Sequence, residues 1–346
     1  MKFRPLGRTG LHVSELGFGC GSVGGLLVRG ERCEVLRTVK RAIELGVNYF
    51  DTASIYGDGK SESSLGAVLR ELGEDALVGT KVRLSPLDMG RIPDAVMESV
   101  EGSLRRLRLD RVDLIQLHNP IALCRDPERG FVGLDDLEPV MLAFQSLQEQ
   151  GKVKFCGING LGETEALFQA VELAGAQSIQ LCYNLINPSA GNKVPQGFPF
   201  QNFHQLMQRA SENGMGVIAI RVLAGGALSG TDHRHPKAAK TVSPIASGRN
   251  YADDVTRSRM FQFLVGQGYV GSLVEAAIRF VISNSAVSTA LVGFSSLEQL
   301  DYAAECVAKG PLPSEALKQI EEVLPMYPKA GSRVIIQCFA GVPVRR

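Results

Sequence analysis

Eight short runs rich in apolar and β-branched residues recur along the chain, at 13–19, 47–51, 76–81, 112–117, 153–159, 178–183, 216–220 and 288–291. Most are followed by a stretch with helical periodicity, at about 31–45, 61–72, 93–108, 134–150, 163–174, 203–213, 272–283 and 297–308. In several of these stretches apolar residues repeat at spacings of three and four, as in Ala95, Val96, Val100 and Leu104, which gives one buried stripe. Runs that are continuously apolar rather than alternating imply strands buried on both faces, hence a parallel sheet covered by helices. Eight such units predict a closed α/β barrel, the (β/α)8 or TIM barrel, rather than an open sheet. The 346 residues would suit two ordinary domains or one large one. The repeat favours a single barrel domain spanning 1–346.

Three segments fall outside the repeat: 119–133, 225–270 and the tail beyond about Leu324. All are rich in Gly, Pro and polar residues and read as loops, although the second is too long for a simple connector. Two of them follow the C-terminal ends of strands, where barrels build active sites, so they are expected to carry specificity. Polar residues there, such as Asn119, Arg125 and His233, are compatible with sugars or other polyols as ligands. The opening segments 3–6 and 11–13, around Arg8-Thr9-Gly10, predict a β-hairpin that plugs the opposite end.

Charge and cysteine content narrow the partners. Lys and Arg number 37 against 36 Asp and Glu, with no basic run, so neither nucleic acid nor a membrane surface is expected and a small-molecule substrate is. The seven cysteines, Cys20, Cys33, Cys124, Cys156, Cys182, Cys306 and Cys338, are scattered, with no C-x-x-C spacing, and read as reduced thiols. No metal is expected: the nearest pair of histidines, His233 and His235, has no cysteine or carboxylate at ligand spacing. The N-terminal residues lack the apolar stretch of a signal peptide and no segment is apolar enough to span a bilayer, so the expected location is cytoplasmic.

The polar residues that close successive apolar runs carry the chemistry. Asp51 ends the second run, in Asn48-Tyr49-Phe50-Asp51-Thr52-Ala53, and Tyr56-Gly57 follows in the adjoining loop. Lys81 ends the third run and His118 closes the fourth. In a barrel these ends converge at one mouth. A solvated strand end explains any one of them; a carboxylate, phenol, ammonium and imidazole together are less easily explained that way.

With Leu16-Gly17-Phe18-Gly19, Ser61-Glu62, Gly79-Thr80-Lys81, Val112-Asp113-Leu114, Gly151-Lys152-Val153, Gln180 and the run 223–230, these residues make the chain resemble the aldo-keto reductases from about residue 3 to 308. The resemblance implies an NAD(P)(H)-dependent oxidoreductase acting on aldehydes, ketones or sugars. Tyr56 would be the general acid in reduction and base in oxidation, and Lys81 would lower its pKa from the ordinary value of about 10. Asp51 would hold Lys81, and His118 would orient the carbonyl oxygen. The cofactor, NADP(H) or NAD(H), would lie along Gly19, Cys20, Asp51, Asn159, Gln180, Arg221, Leu223, Gly226, Ser295 and Gln299.

Three positions depart from the family pattern. Asn159-Gly160 stands where a Ser-Asn pair is usual, Ile220 where an aromatic residue often stacks on the nicotinamide, and Gln299 where an arginine binds the 2′-phosphate of NADP(H). Ser295 and Glu298 also fit a capping box at the start of the last barrel helix.

Other readings remain open. Gly19-Cys20-Gly21-Ser22-Val23-Gly24 satisfies the G-x-G-x-x-G pattern of an open dinucleotide-binding sheet, but leaves Tyr56, Lys81 and His118 unexplained. A lyase could use Lys81 for a Schiff base. A dinucleotide-binding regulatory subunit with little turnover would resemble some members of the same family.

Overall fold

A computed structural model describes residues 1–173 and 175–327. Cys338 and the tail from 328 onward lie outside the described residues, as does Ala174 at the end of the helix expected over 163–174.

The expected barrel is present. An N-terminal hairpin of β1 (Phe3–Pro5) and β2 (His12–Ser14) precedes eight barrel strands. These are β3 (Leu16–Gly19), β4 (Tyr49–Asp51), β5 (Leu77–Val82), β6 (Val112–Leu117), β7 (Val153–Asn159), β8 (Ser178–Cys182), β9 (Gly216–Ile220) and β10 (Val287–Gly293). Each pairs in parallel with its sequence neighbours, and β10 pairs with both β9 and β3, which closes the ring and excludes the open-sheet reading. The register places Gly19 beside Asp51, Asp51 beside Gly79, Lys81 beside Gln116 and Asn159 beside Gln180. The polar strand ends therefore form one rim.

The first apolar run, 13–19, is not one strand. It breaks at Glu15, whose carboxylate binds the Arg4 guanidinium at 2.8 Å and whose carbonyl accepts from Ala290 N, so the chain turns there from hairpin to barrel. Leu6 and Val13 of the hairpin region pack with Tyr49, Leu114 and Ile218 at the floor of the barrel interior, as a plug should. Gly7, at φ +53°, rests directly on the start of β9, where a Cβ would collide with the backbone of Gly216.

Helices cover the outside of the ring between strands, their apolar stripes buried against it. The helix expected over 203–213 is shorter, Leu206–Glu212, because His204 and Gln205 sit at φ +47° and +61°. The segment 225–270 is not all loop. It carries helices Tyr251–Ser258 and Phe263–Gly266, the first capped by Asn250, whose side chain accepts from Asp253 N at 2.9 Å. Val255, Phe261 and Leu264 from this segment are sunk in the core. A further helix, Ser314–Val323, has Ala316, Ile320 and Val323 buried at helical spacing. Among the described residues, no helix is long and apolar enough to cross a membrane.

Candidate active site

Alternation along β4 and β5 turns Asp51 and Lys81 inward at the C-terminal mouth, where they meet. The Lys81 ammonium donates to Asp51 Oδ1 and, at 2.7 Å, to the carbonyl of Thr52. Asp51 Oδ2 accepts from Gln180 Nε2 at 2.6 Å and from the Tyr49 hydroxyl at 3.1 Å. Both charged side chains are almost completely buried, at 1% and 2% exposure. A buried ion pair is tolerable only when the remaining hydrogen-bonding capacity is also satisfied, and these donors do that.

Tyr56 reaches the pair from the loop after β4. The Gly57 that follows it, at φ +62°, packs against Val28 where a Cβ would not fit, and Ser61 N holds the Tyr56 carbonyl at 3.2 Å. The Lys81 ammonium lies 5.0 Å from the Tyr56 ring centroid. His118 presents its ring edge-on to Tyr56, with centroids 5.8 Å apart and planes at 85°. The His118 backbone is held on both sides, its N–H by Val82 O and its carbonyl by Asn159 Nδ2 at 2.9 Å. The structure thus brings Asp51, Tyr56, Lys81 and His118 together.

The electrostatics of Lys81, Tyr56 and His118 differ in sign. Burial alone would depress the Lys81 pKa, but Asp51 and Tyr56 more than offset it, so Lys81 is held above the ordinary lysine value as an ammonium. Burial is the largest influence on Tyr56 and pushes its pKa up; Lys81 pulls it down and Asp51 pushes it up again. Lys81 acts in the expected downward direction, but desolvation outweighs it and the net shift is upward. For His118, burial first, then the charges of Lys81 and Arg83, lower the pKa to about 3. The imidazole is neutral at physiological pH.

A cleft of about 540 Å³ opens at this mouth. Asp51, Tyr56, His118, Asn159 and Gln180 line it, as do Ile220, Arg221, Leu223, Gly226, Ser295, Gln299 and Gly19. Two sequence-selected residues do not line it. Lys81 is buried in its pair with Asp51, and Cys20 is buried, its Sγ 3.7 Å from Phe18 O. Asn159 Oδ1 is buried with no partner among the described residues, an acceptor awaiting a donor.

The far wall is made by the segment after β9. Ala224, Gly225 and Gly226 all have positive φ, at 47°, 69° and 107°, which bends the backbone tightly along the cleft. The side chain of Arg221, also at positive φ, donates a 3.3 Å hydrogen bond to Ser243 O. Arg234 bonds to Gly225 O at 2.9 Å and lies 4.9 Å over the Tyr251 ring. Among the described residues neither arginine is paired with a carboxylate. From here the chain crosses to the loop after β3, where Ala239 N bonds to Val23 O at 3.0 Å and Arg29 Nε to Lys237 O at 2.6 Å.

The capping expected of Ser295 is different in detail. Ser296, not Ser295, is the cap residue of the helix Leu297–Ala308, and the Ser295 hydroxyl instead donates to Gly24 O at 2.6 Å. The Ser295 N–H is taken by Gln299 Oε1 at 2.9 Å, so the glutamine amide folds back over the helix start. Asn119 and Arg125 are also corrected as loop groups facing a ligand. Asn119 is buried, bridging Leu84 and Gly130, and Arg125 is bound by Asp136; of the three, only His233 lines the cleft.

Sequence reasoning passed over several lining residues, including Ile55, Leu161, Arg234, Tyr251 and Tyr302. Tyr302 had a readable signal, since it lies three residues after Gln299 on the same helix face. Arg234 and Tyr251 had none, because only the fold of the long segment brings them to the wall. Among the described residues, no group of three or more His, Cys, Asp or Glu is arranged to hold a metal ion.

A sequence model described as the aldo/keto reductase family matches residues 15–325. The chain is similar to L-galactose dehydrogenase of Arabidopsis thaliana, at 28% identity over 94% of both chains. It is 30% identical, again over 94% of both chains, to a putative voltage-gated potassium channel subunit beta of Schizosaccharomyces pombe. Among solved structures, an aldo-keto reductase from Bacillus halodurans in its holo form matches with a TM-score of 0.70 at 25% identity, covering 94% of this chain and 96% of that one.

Proposed function

The chain belongs to the aldo/keto reductase family, and from that premise we propose that it is an NAD(P)(H)-dependent oxidoreductase interconverting a carbonyl, in an aldehyde, ketone or sugar, and the corresponding alcohol. The observation that carries the reading is the convergence of a phenol, a buried ammonium–carboxylate pair and a neutral imidazole in one cleft. Tyr56 protonates the carbonyl oxygen in reduction and removes the hydroxyl proton in oxidation. Lys81, kept charged and in place by Asp51, opposes the upward push of burial on the Tyr56 pKa. His118, neutral, donates a hydrogen bond to the substrate oxygen without competing for its proton. The nicotinamide, when bound, supplies or accepts hydride.

The residues present fit such a cofactor. Asn159 Oδ1, buried and unpartnered, suits a carboxamide N–H, and Gln180 lies beside it in register. Arg221 and Arg234, with the Gly225-Gly226 backbone, suit a diphosphate. Gln299 places no positive charge at the helix start, which leaves both NAD(H) and NADP(H) as candidates. Gln299→Arg is expected to tighten NADPH relative to NADH by about tenfold, the scale of one charge-assisted contact. Titration of both dinucleotides by fluorescence reads this directly, and an unchanged ratio would place 2′-phosphate recognition elsewhere.

Because the His118 pKa is about 3, the pH profile of carbonyl reduction is expected to show no limb near 6.5 belonging to this histidine. A limb there that disappears in His118→Asn would reverse the assignment of a neutral donor. The Schiff-base alternative is disfavoured on the same ground of protonation state, since a nucleophilic lysine must shed its proton and Lys81 is held as an ammonium.

The relative described as a channel β subunit keeps the regulatory reading alive as a second candidate. One experiment separates the two: titrate NADH and NADPH, then screen aldehydes, ketones and aldoses in both directions by nicotinamide absorbance. The relative named for L-galactose puts aldoses early in that screen. Tight dinucleotide binding with no turnover on any class would favour the regulatory subunit.

A further inference from the structure

Tyr49 shares the inward face of β4 with Asp51, two residues away along the strand. Its packing neighbours at the barrel floor, Leu6, Val13, Leu114 and Ile218, are aliphatic, as is usual for a barrel interior. The phenol is the exception, and its hydroxyl lies 3.1 Å from Asp51 Oδ2. A glycine on the flanking strand β5 makes room for it: a Cβ on Gly79 would collide with the hydroxyl itself.

We propose that Tyr49 is a positioning residue for proton transfer: by donating to Asp51 Oδ2 it fixes the carboxylate that holds Lys81 and draws part of its negative charge away from Tyr56. The inference rests on the oxidoreductase reading given above. Asp51 Oδ1 is engaged by Lys81, and Oδ2 has two donors, Gln180 and Tyr49. Burial and the adjacent Asp51 push the Tyr49 pKa well above that of an ordinary phenol, so Tyr49 keeps its proton and remains a donor. Groups facing Tyr56 are Lys81, Asp51, Arg221 and the neutral His118; those facing Tyr49 are Asp51, the Cys20 thiol and Tyr56.

The sign of the effect follows. Asp51 raises the Tyr56 pKa and Lys81 lowers it. Without the Tyr49 hydroxyl, Asp51 Oδ2 keeps one donor and its charge acts more fully on Tyr56, whose pKa rises. Alcohol oxidation needs Tyr56 deprotonated, so its pH limb moves upward.

The test is Tyr49→Phe, which keeps the ring and removes only the oxygen, studied with bound dinucleotide. The expected result is an upward shift of the oxidation limb in kcat by roughly half a unit, equivalent to about a threefold loss of rate below the limb. The substrate KM should stay close to the parent's, while the melting temperature falls modestly because the buried Asp51 carboxylate loses one of its donors. An unshifted limb, or a fall in melting temperature with no shift, overturns the inference and leaves Tyr49 as packing. Should Tyr49→Phe not fold, Gly79→Ala, which displaces the hydroxyl from the neighbouring strand, is judged by the same limb. A parent protein without turnover overturns the oxidoreductase reading and this inference with it; a parent that turns over beside an unshifted variant overturns this inference alone.

Discussion

Replacing Tyr56 with Phe is expected to reduce turnover by roughly 100- to 10,000-fold, the usual contribution of a positioned proton donor, while dinucleotide binding changes no more than a few-fold. The substitution retains the ring that meets His118 edge-on and lies over Lys81, and removes only the hydroxyl. Steady-state rates in both directions and a fluorescence titration separate the two effects. Near-normal rates would remove Tyr56 as the proton donor. The direction of the Tyr56 pKa shift adds a second expectation for the parent protein. Because burial holds the group above an ordinary phenol, it is protonated at neutral pH and ready to serve reduction, whereas oxidation should gain steadily as pH rises. An oxidation rate that falls between neutral and mildly alkaline pH, with the protein still folded, would contradict that sign.

The barrel was legible because strands buried on both faces leave a continuous apolar mark: each of the eight runs overlaps a barrel strand, six containing it whole and the runs 76–81 and 288–291 falling short of β5 and β10. The rim at Asp51, Lys81 and His118 was legible for a related reason: a polar residue closing an apolar run marks where a strand leaves the core. That logic fails beyond the strand ends. Asn119, one residue past His118, reads as an exposed loop amide, yet it is turned inward to hold Leu84 and Gly130. Cys20 follows Gly19 on the cleft wall but points into the core. The helix Tyr251–Ser258 carried a local signal in Asn250 and Asp253, obscured by the Gly- and Pro-rich composition around it. Arg234 over Tyr251 belongs to a different class, because that contact exists only after the long segment has folded against the ring. Even the sign of the Tyr56 shift needed coordinates, since sequence names the charges nearby but not how deeply the phenol is desolvated.

Lys81→Met is expected to cost about 3–5 kcal/mol of stability, the penalty typical of breaking one side of a buried pair. Methionine nearly matches lysine in length and volume, so little of the loss would come from packing. What remains is an Asp51 carboxylate at 2% exposure with only Gln180 and Tyr49 to satisfy it. Adding Asp51→Asn removes that stranded charge, and the double variant should recover more than about 1 kcal/mol relative to Lys81→Met alone. Denaturant midpoints at constant slope measure all three; a Lys81→Met protein as stable as its parent would mean that the pair is not desolvated in solution. The pH dependence has a definite sign as well. Lys81 is held above its ordinary pKa of 10.5, so its contribution is fully present below that value and is lost as pH rises through the higher folded-state value. The parent should therefore lose an increment of alkaline stability that Lys81→Met lacks. Recovery of stability without recovery of turnover in the double variant would separate what the pair does for the fold from what the ammonium does for Tyr56. If turnover returned in the double variant, where both charges of the pair are gone, Lys81 would have no electrostatic part in proton transfer.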